Sequence, residues 1–158
     1  MKKLLLTLIT LALLAVSSMA LAASRDEIVA AANAMVPSTA TMYELKSDGP
    51  LKMEAKYRDV ANSTKYEVEV DNATGKVLEF KTKIYNISKS LSVGKSEADI
   101  KAIVLQEYPD AQNLFIKLDS DNGKYEYEAK FSNEQCYEVE LDLNAASGQI
   151  VERKLKFK

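Results

Sequence analysis

The chain states one pattern twice, so its fold has to be one that can be built twice. Ser24-Arg25-Asp26-Glu27-Ile28 opens the first statement and Ser96-Glu97-Ala98-Asp99-Ile100 the second. Pro37 and Pro109 follow them, and the serines and the prolines are each 72 residues apart. Tyr66-Glu67-Val68-Glu69-Val70-Asp71 then answers to Tyr137-Glu138-Val139-Glu140-Leu141-Asp142. A repeat is read before local propensity, because a missed one mis-assigns every element after it.

Each half reads as a helix and four strands. Ser24 with Glu27, and Ser96 with Asp99, are spaced as capping boxes. Ile28, Ala31, Ala32 and Met35 share one helical face, as do Ile100, Ile103 and Val104. Pro37 and Pro109 are the expected stops, since proline breaks the hydrogen-bond ladder and disfavours helix in the residue before it. The strands alternate with period two. Leu51, Met53, Ala55 and Tyr57 point one way, and Tyr125, Tyr127, Ala129 and Phe131 repeat them. Glu54 and Lys56, with Glu128 and Lys130, take the opposite face. Turn signals separate the strands at Asp48-Gly49-Pro50, Asp71 to Gly75, Asn122-Gly123 and Asn144 to Gly148. Gly75 and Gly148 are expected at positive φ. The expected class is α+β: two tandem α-β-β-β-β units, each an antiparallel four-stranded sheet with one helix on one face. The units span residues 23–83 and 96–158, joined by 84–95. Pattern alone leaves open whether the two sheets continue into one another or pack side by side.

Residues 1–22 read as a secretory signal peptide. Lys2 and Lys3 precede an apolar run from Leu4 to Val16, and Ala20 and Ala22 form the small-residue cleavage signal. The run is short of the roughly 20 residues a membrane span needs. No cysteine lies near the cut, so a lipid-modified N-terminus is not expected. The protein is expected in the periplasm or secreted, with no membrane anchor after cleavage.

Composition narrows the chemistry. Of 21 Lys+Arg, two lie in the leader, which leaves 19 facing 23 Asp+Glu. That balance gives no basic footprint for nucleic acid. The chain has no histidine, which removes the usual general base and the usual triads. Cys136 is the single cysteine, so no disulfide forms within one chain, and a strand cysteine with no base beside it reads as structural. Structural zinc would need cysteine and histidine clusters. Asp119 to Gly123 starts like a calcium loop but lacks the closing glutamate, and reads as a hairpin turn. No catalytic residue, metal or cofactor is expected.

The string from Tyr66 to Glu79, with Gly75-Lys76-Val77-Leu78-Glu79 after its turn, resembles the PepSY domain. Tyr137 to Glu152 resembles it too, with Gly148-Gln149-Ile150-Val151-Glu152 and a turn counted as two residues longer. The helix ending at Tyr108-Pro109-Asp110-Ala111 fits the same family and its β-lactamase-inhibitor-like relatives. The resemblance covers the whole chain after the leader. It implies an exported bacterial module without catalysis, of a kind found in metallopeptidase propeptides. The expected function is therefore binding of an exported protein, with a peptidase as the target in the inhibitor reading. The alternative is a small-ligand or cation-binding module that uses an acidic sheet face.

Alternation places that face. It carries Glu44, Glu54, Glu67, Glu69, Glu126, Glu128, Glu138 and Glu140, diluted by Lys56, Lys117 and Lys130. Met42 and Phe115 are expected at matching positions on it, with Tyr43 and Leu45, and Ile116 and Leu118, pointing inward. Met42, Phe115, Glu54, Glu128, Glu67 and Glu138 are the candidate partner-binding residues. Tyr57, Tyr66, Tyr125, Tyr127 and Tyr137 are expected in the core or at its margin.

Overall fold

Ser24 and Ser96 cap their helices as their spacing predicts. In the computed structural model, which describes residues 22–87 and 89–158, Ser24 N donates to Glu27 Oε2 at 2.7 Å and Glu27 N donates to Ser24 Oγ at 3.3 Å. Ser96 and Asp99 repeat the exchange at 2.8 and 3.2 Å. The leader expected over residues 1–22 lies, apart from Ala22, outside the described residues. Helix α1 is Arg25–Asn33 and α2 is Glu97–Glu107. Helix α2 runs up to Tyr108 and stops at its proline. Helix α1 stops earlier, with Ala34 as its C-cap, so Pro37 is not its terminator.

Four strands follow each helix. They are β1 Thr41–Ser47, β2 Lys52–Asp59, β3 Thr64–Asp71 and β4 Val77–Ile84, then β5 Gln112–Asp121, β6 Lys124–Ser132, β7 Cys136–Asn144 and β8 Ile150–Phe157. All pair antiparallel in one sheet of order β1-β2-β3-β4-β8-β7-β6-β5. The two units therefore meet through their last strands, and the question left open by pattern is settled. Glu79 lies opposite Lys156, Lys81 opposite Lys154 and Lys83 opposite Glu152 across the joint. Joining the last strands removes two edges that would otherwise present unpaired backbone groups.

Each unit keeps its own core. Ile28 and Ala32 of α1 pack on Ala55, Tyr57, Val68 and Val70. Ile100 and Val104 of α2 pack with Tyr127, Ala129, Phe131, Val139, Leu141 and Leu143. Leu51 departs from its expected place: it precedes β2 in the turn and is exposed.

The structural register of the copies is not that of the matching strings. Val68 lies opposite Ala55 and Phe80, and its counterpart by pairing is Leu141, opposite Ala129 and Arg153. Val139 was its match by string. The strings are thus displaced by two residues, one full pleat repeat, which preserves which side faces the core. The turn after them has the same length in both copies. Asp71 Oδ1 accepts from Ala73 N and Thr74 N at 3.0 and 2.7 Å, and Asn144 Oδ1 accepts from Ala146 N and Ser147 N at 3.1 and 3.0 Å. Gly75 and Gly148 close these turns at φ 69° and 77°. The longer turn expected in the second copy is absent because the length difference lies earlier. The β2–β3 turn runs from Asp59 to Thr64, and the β6–β7 turn from Asn133 to Cys136.

The connecting segment is held to both units: Tyr85 N donates to Ser63 O at 3.0 Å and Asn86 Nδ2 to Ser63 Oγ at 2.8 Å in the first, and its later residues bond to the second. Ser90 and Tyr125 exchange backbone hydrogen bonds at 3.0 and 2.7 Å, and Lys89 Nζ lies 2.6 Å from Glu126.

Candidate binding face

The face of the sheet away from both helices carries charges in rows that cross every strand. The central row is Glu44, Lys56, Glu67, Lys81, Lys154, Glu140, Lys130 and Phe115, in strand order from β1 to β5. This corrects the expectation of an acidic face. Strands β4 and β8 place Lys81, Lys83, Lys154 and Lys156 along its middle, beside the acidic residues that the other strands contribute. Lys81 and Lys154 stand directly opposite, an arrangement that is destabilising on its own. Glu152 relieves it at 2.9 Å from Lys81 and Glu79 at 3.4 Å from Lys154. Glu152 also reaches Lys83 at 2.7 Å. Burial pushes the Glu152 carboxyl up, but the hydrogen bonds from Lys83 and Lys81 outweigh it and hold the group below its ordinary value. These pairs tie one unit to the other. Exposed pairs add little stability each, about 0–1 kcal/mol, so they set register more than they hold the sheet.

The candidate residues sort clearly. Glu54 lies 3.0 Å from Lys46 and 3.4 Å from Lys56. Glu67 stands between Lys56 and Lys81 on neighbouring strands. Glu128 lies 2.9 Å from Lys130, which also takes Glu140 at 3.2 Å. Those two carboxylates raise the lysine's pKa. Glu138 is paired with Lys156, whose ammonium lowers its pKa. Acidic residues do cluster around Asp142, opposite Glu128 and Glu152. Burial, with Glu126, Glu152 and Glu128 nearby, pushes its carboxyl up to about 6.

Met42 is not on this face. It pairs with Tyr57 and packs against the first core. The register shifts between Met42 and Glu44, so Tyr43 is an extra residue that breaks the alternation. Glu44, opposite Lys56, occupies the place that Phe115 holds opposite Lys130. Tyr43, expected inward, is 53% exposed with the Arg58 guanidinium 5.5 Å over its ring.

Phe115 is where alternation puts it, 58% exposed. Pattern missed its neighbour. Tyr137, expected near the core, is equally exposed. It sits in a register shift between Cys136 and Glu138, so it has no counterpart in β3 and is turned outward by the bulge. Phe115, Tyr137, Lys130 and Glu138 line one open cavity of about 380 Å³ with Asn113 and Ser132. A bulge is invisible to a period-two reading, and no sequence signal marked this one. A second cavity of about 450 Å³ lies at the β1 edge, lined by Thr39, Thr41, Tyr43, Arg58, Val60 and Ala61.

Cys136 is buried, and burial raises its thiol pKa, which makes it a poor nucleophile. Among the described residues there is no group of three side chains that could hold a metal ion. Asn122 and Gly123 take φ 51° and 71°, the two-residue hairpin turn expected there. No helix among the described residues is long and apolar enough to cross a membrane.

Two capped helices, each leading into four antiparallel strands, make the chain a tandem of two α-β4 units. The family described as "Peptidase propeptide and YPEB domain", PepSY, matches residues 22–81 and again 94–154. The chain belongs to the PepSY family. Both matches coincide with the structural units, and PepSY domains are typical of exported, propeptide-like modules. A comparison with curated proteins gave no match. Among solved structures, a candidate lipoprotein from Clostridium difficile 630 is similar over 73% of this chain and 82% of its own, at 18% identity and a TM-score of 0.30. A likeness of that size carries no functional weight.

Proposed function

We propose that this tandem PepSY protein is a non-catalytic binding protein of the bacterial envelope, and that it grips an exported protein on the open sheet face of its second unit. The cavity shared by Phe115 and Tyr137 carries this reading. Two exposed aromatic rings share it with Lys130 and Glu138, which are each already paired within the sheet. Aromatic anchors ringed by polar groups are how interfaces concentrate binding energy. The surrounding charge rows supply orientation. A peptidase is the partner class that the family description favours, with inhibition as the consequence.

The test immobilises the protein and exposes it to envelope extract. The reading expects capture of an exported peptidase whose activity falls as the protein is added, and loss of both effects in Phe115→Ala and Tyr137→Ala. Capture that is indifferent to both substitutions, or none at all, overturns it.

A further inference from the structure

The chain enters its two helices differently. Before α2, Gly94 N and Lys95 N both donate to the carbonyl oxygen of Ala145, each at 3.0 Å. Before α1 the matching carbonyl is that of Asn72, and Ala23 N donates to it at 3.0 Å. Ala22 stands where Gly94 stands in the second copy. It cannot copy that approach, because a Cβ on Gly94 would lie 2.7 Å from the Ala146 carbonyl oxygen. The first copy thus lacks room for the second donor.

It also has one acceptor more. Asn72 replaces Ala145, and its Oδ1 is buried without a hydrogen-bond partner among the described residues. The rest of Asn72 is engaged: its N–H donates to Leu51 O at 2.8 Å and its Nδ2 to Pro50 O at 3.3 Å. A buried amide oxygen left unmet is costly. An open cavity of about 350 Å³ lies where this turn meets the start of α1, lined by Ala23, Glu27, Ala73, Thr74 and Gly75.

We infer that the amino group released by cleavage after Ala22 is a structural part of the mature fold, donating to both the backbone and the side-chain oxygen of Asn72. The inference rests on the cleavage site read from Ala20 and Ala22. A free ammonium carries three donors where a backbone amide carries one, and bonds from a charged donor are the stronger kind. A cation at a helix N-terminus is opposed by the helix dipole. Here Asp26 and Glu27 occupy the first turn of α1, and Glu27 lines the cavity itself. With Ala22 retained, no described residue meets Asn72 Oδ1, so processing completes the first unit.

The experiment uses the chain from Ala23 to Lys158 in three forms: with a free amine, Nα-acetylated, and retaining Ala22. The free-amine form is expected to melt about 3–8 °C above the other two. Asn72→Ala abolishes that gap, and Asn72→Asp, which keeps the shape and adds charge, widens it. Equal melting of the three forms overturns the inference. So does a gap that neither substitution changes, and the aspartate variant decides alone where the alanine variant does not fold. The intact mass of the exported protein tests the cleavage separately. A start at Ala23 supports the inference, and any other start overturns the role in processing whatever the melting shows.

Discussion

The hairpin turns between the second and third strands of each unit do the same job with different chemistry. In the first unit Asp59 is fully buried. Its carboxylate accepts from Thr39 Oγ1 at 2.6 Å, Asn62 N at 3.0 Å and Asn62 Nδ2 at 2.8 Å. Hydrogen bonds from Thr39 and Asn62 hold its pKa below the ordinary value. In the second unit Asn133 stands there and accepts from Gln135 N at 3.1 Å and Cys136 N at 2.7 Å. The longer first turn pushes Val60 and Ala61 out toward Arg58 and shapes the β1-edge cavity. The shorter second turn starts β7 early and accommodates Tyr137 as an extra residue beside Phe115. The units share the turn at Asp71 and Asn144, and the residue after it, Asn72 or Ala145, takes the incoming chain in its own way. They diverge at the opposite ends of the strands, where each builds its own cavity. Duplication has fixed the frame and left those ends free to differ.

The largest expected effect tests whether the two cores are separate. Leu141→Ala removes a fully buried side chain and should cost about 3–4 kcal/mol by chemical denaturation. Hydrogen exchange should then quicken in β6 and β7 first. Equal quickening in β2 and β3 would mean that the β4–β8 joint makes the units one cooperative body.

Next, Gly148→Ala should cost about 2–3 kcal/mol and Gly75→Ala about 1–2, both measured by thermal melting. Both residues have positive φ, but a Cβ at Gly148 would also lie 2.5 Å from Ile103 Cδ1, against 3.5 Å to Ala23 Cβ at Gly75. Equal costs would show that Ile103 yields freely and that the turns are equivalent.

Asp142→Asn should stabilise the protein at pH 7 by about 1 kcal/mol, after allowance for solvent screening. Its folded pKa is raised to about 6, above the ordinary value of 3.8. Below pH 3.8 the group is protonated whether folded or not, and the substitution gains nothing. The gain should grow between pH 4 and 6 and then level off, as read by denaturation across that range. A gain independent of pH would assign the effect to packing.

The smallest effect concerns the first unit's edge. Arg58→Ala should cost about 0.5–1 kcal/mol through loss of its contact with Tyr43. A cost matching that of Gly148→Ala would show that this edge is part of the fold and not only a surface.

Much of the fold was legible in the chain. The caps at Ser24 and Ser96, the turn glycines 75 and 148 and the inward set of Ala55, Tyr57, Ala129 and Phe131 all follow from local rules. A cap or a turn is satisfied within a few residues, and a strand's faces follow from its own alternation. Phe115 was placed on the open face for the same reason. Local rules could not find what depends on a partner strand. The bulges at Tyr43 and Tyr137 reverse the expected faces, because an extra residue is defined only against the strand opposite. Met42 therefore turned inward and Tyr137 outward. The continuous sheet, and with it the lysine stripe of β4 and β8, needed two distant segments to pair. Two capped, four-stranded units, and the dry side of most strands, follow from the order of residues alone. That the units share one sheet, that its open face carries mixed charge, and that Phe115 has Tyr137 beside it depend on how distant strands pair. Period and capping are properties of one segment, whereas register and neighbourhood are properties of two.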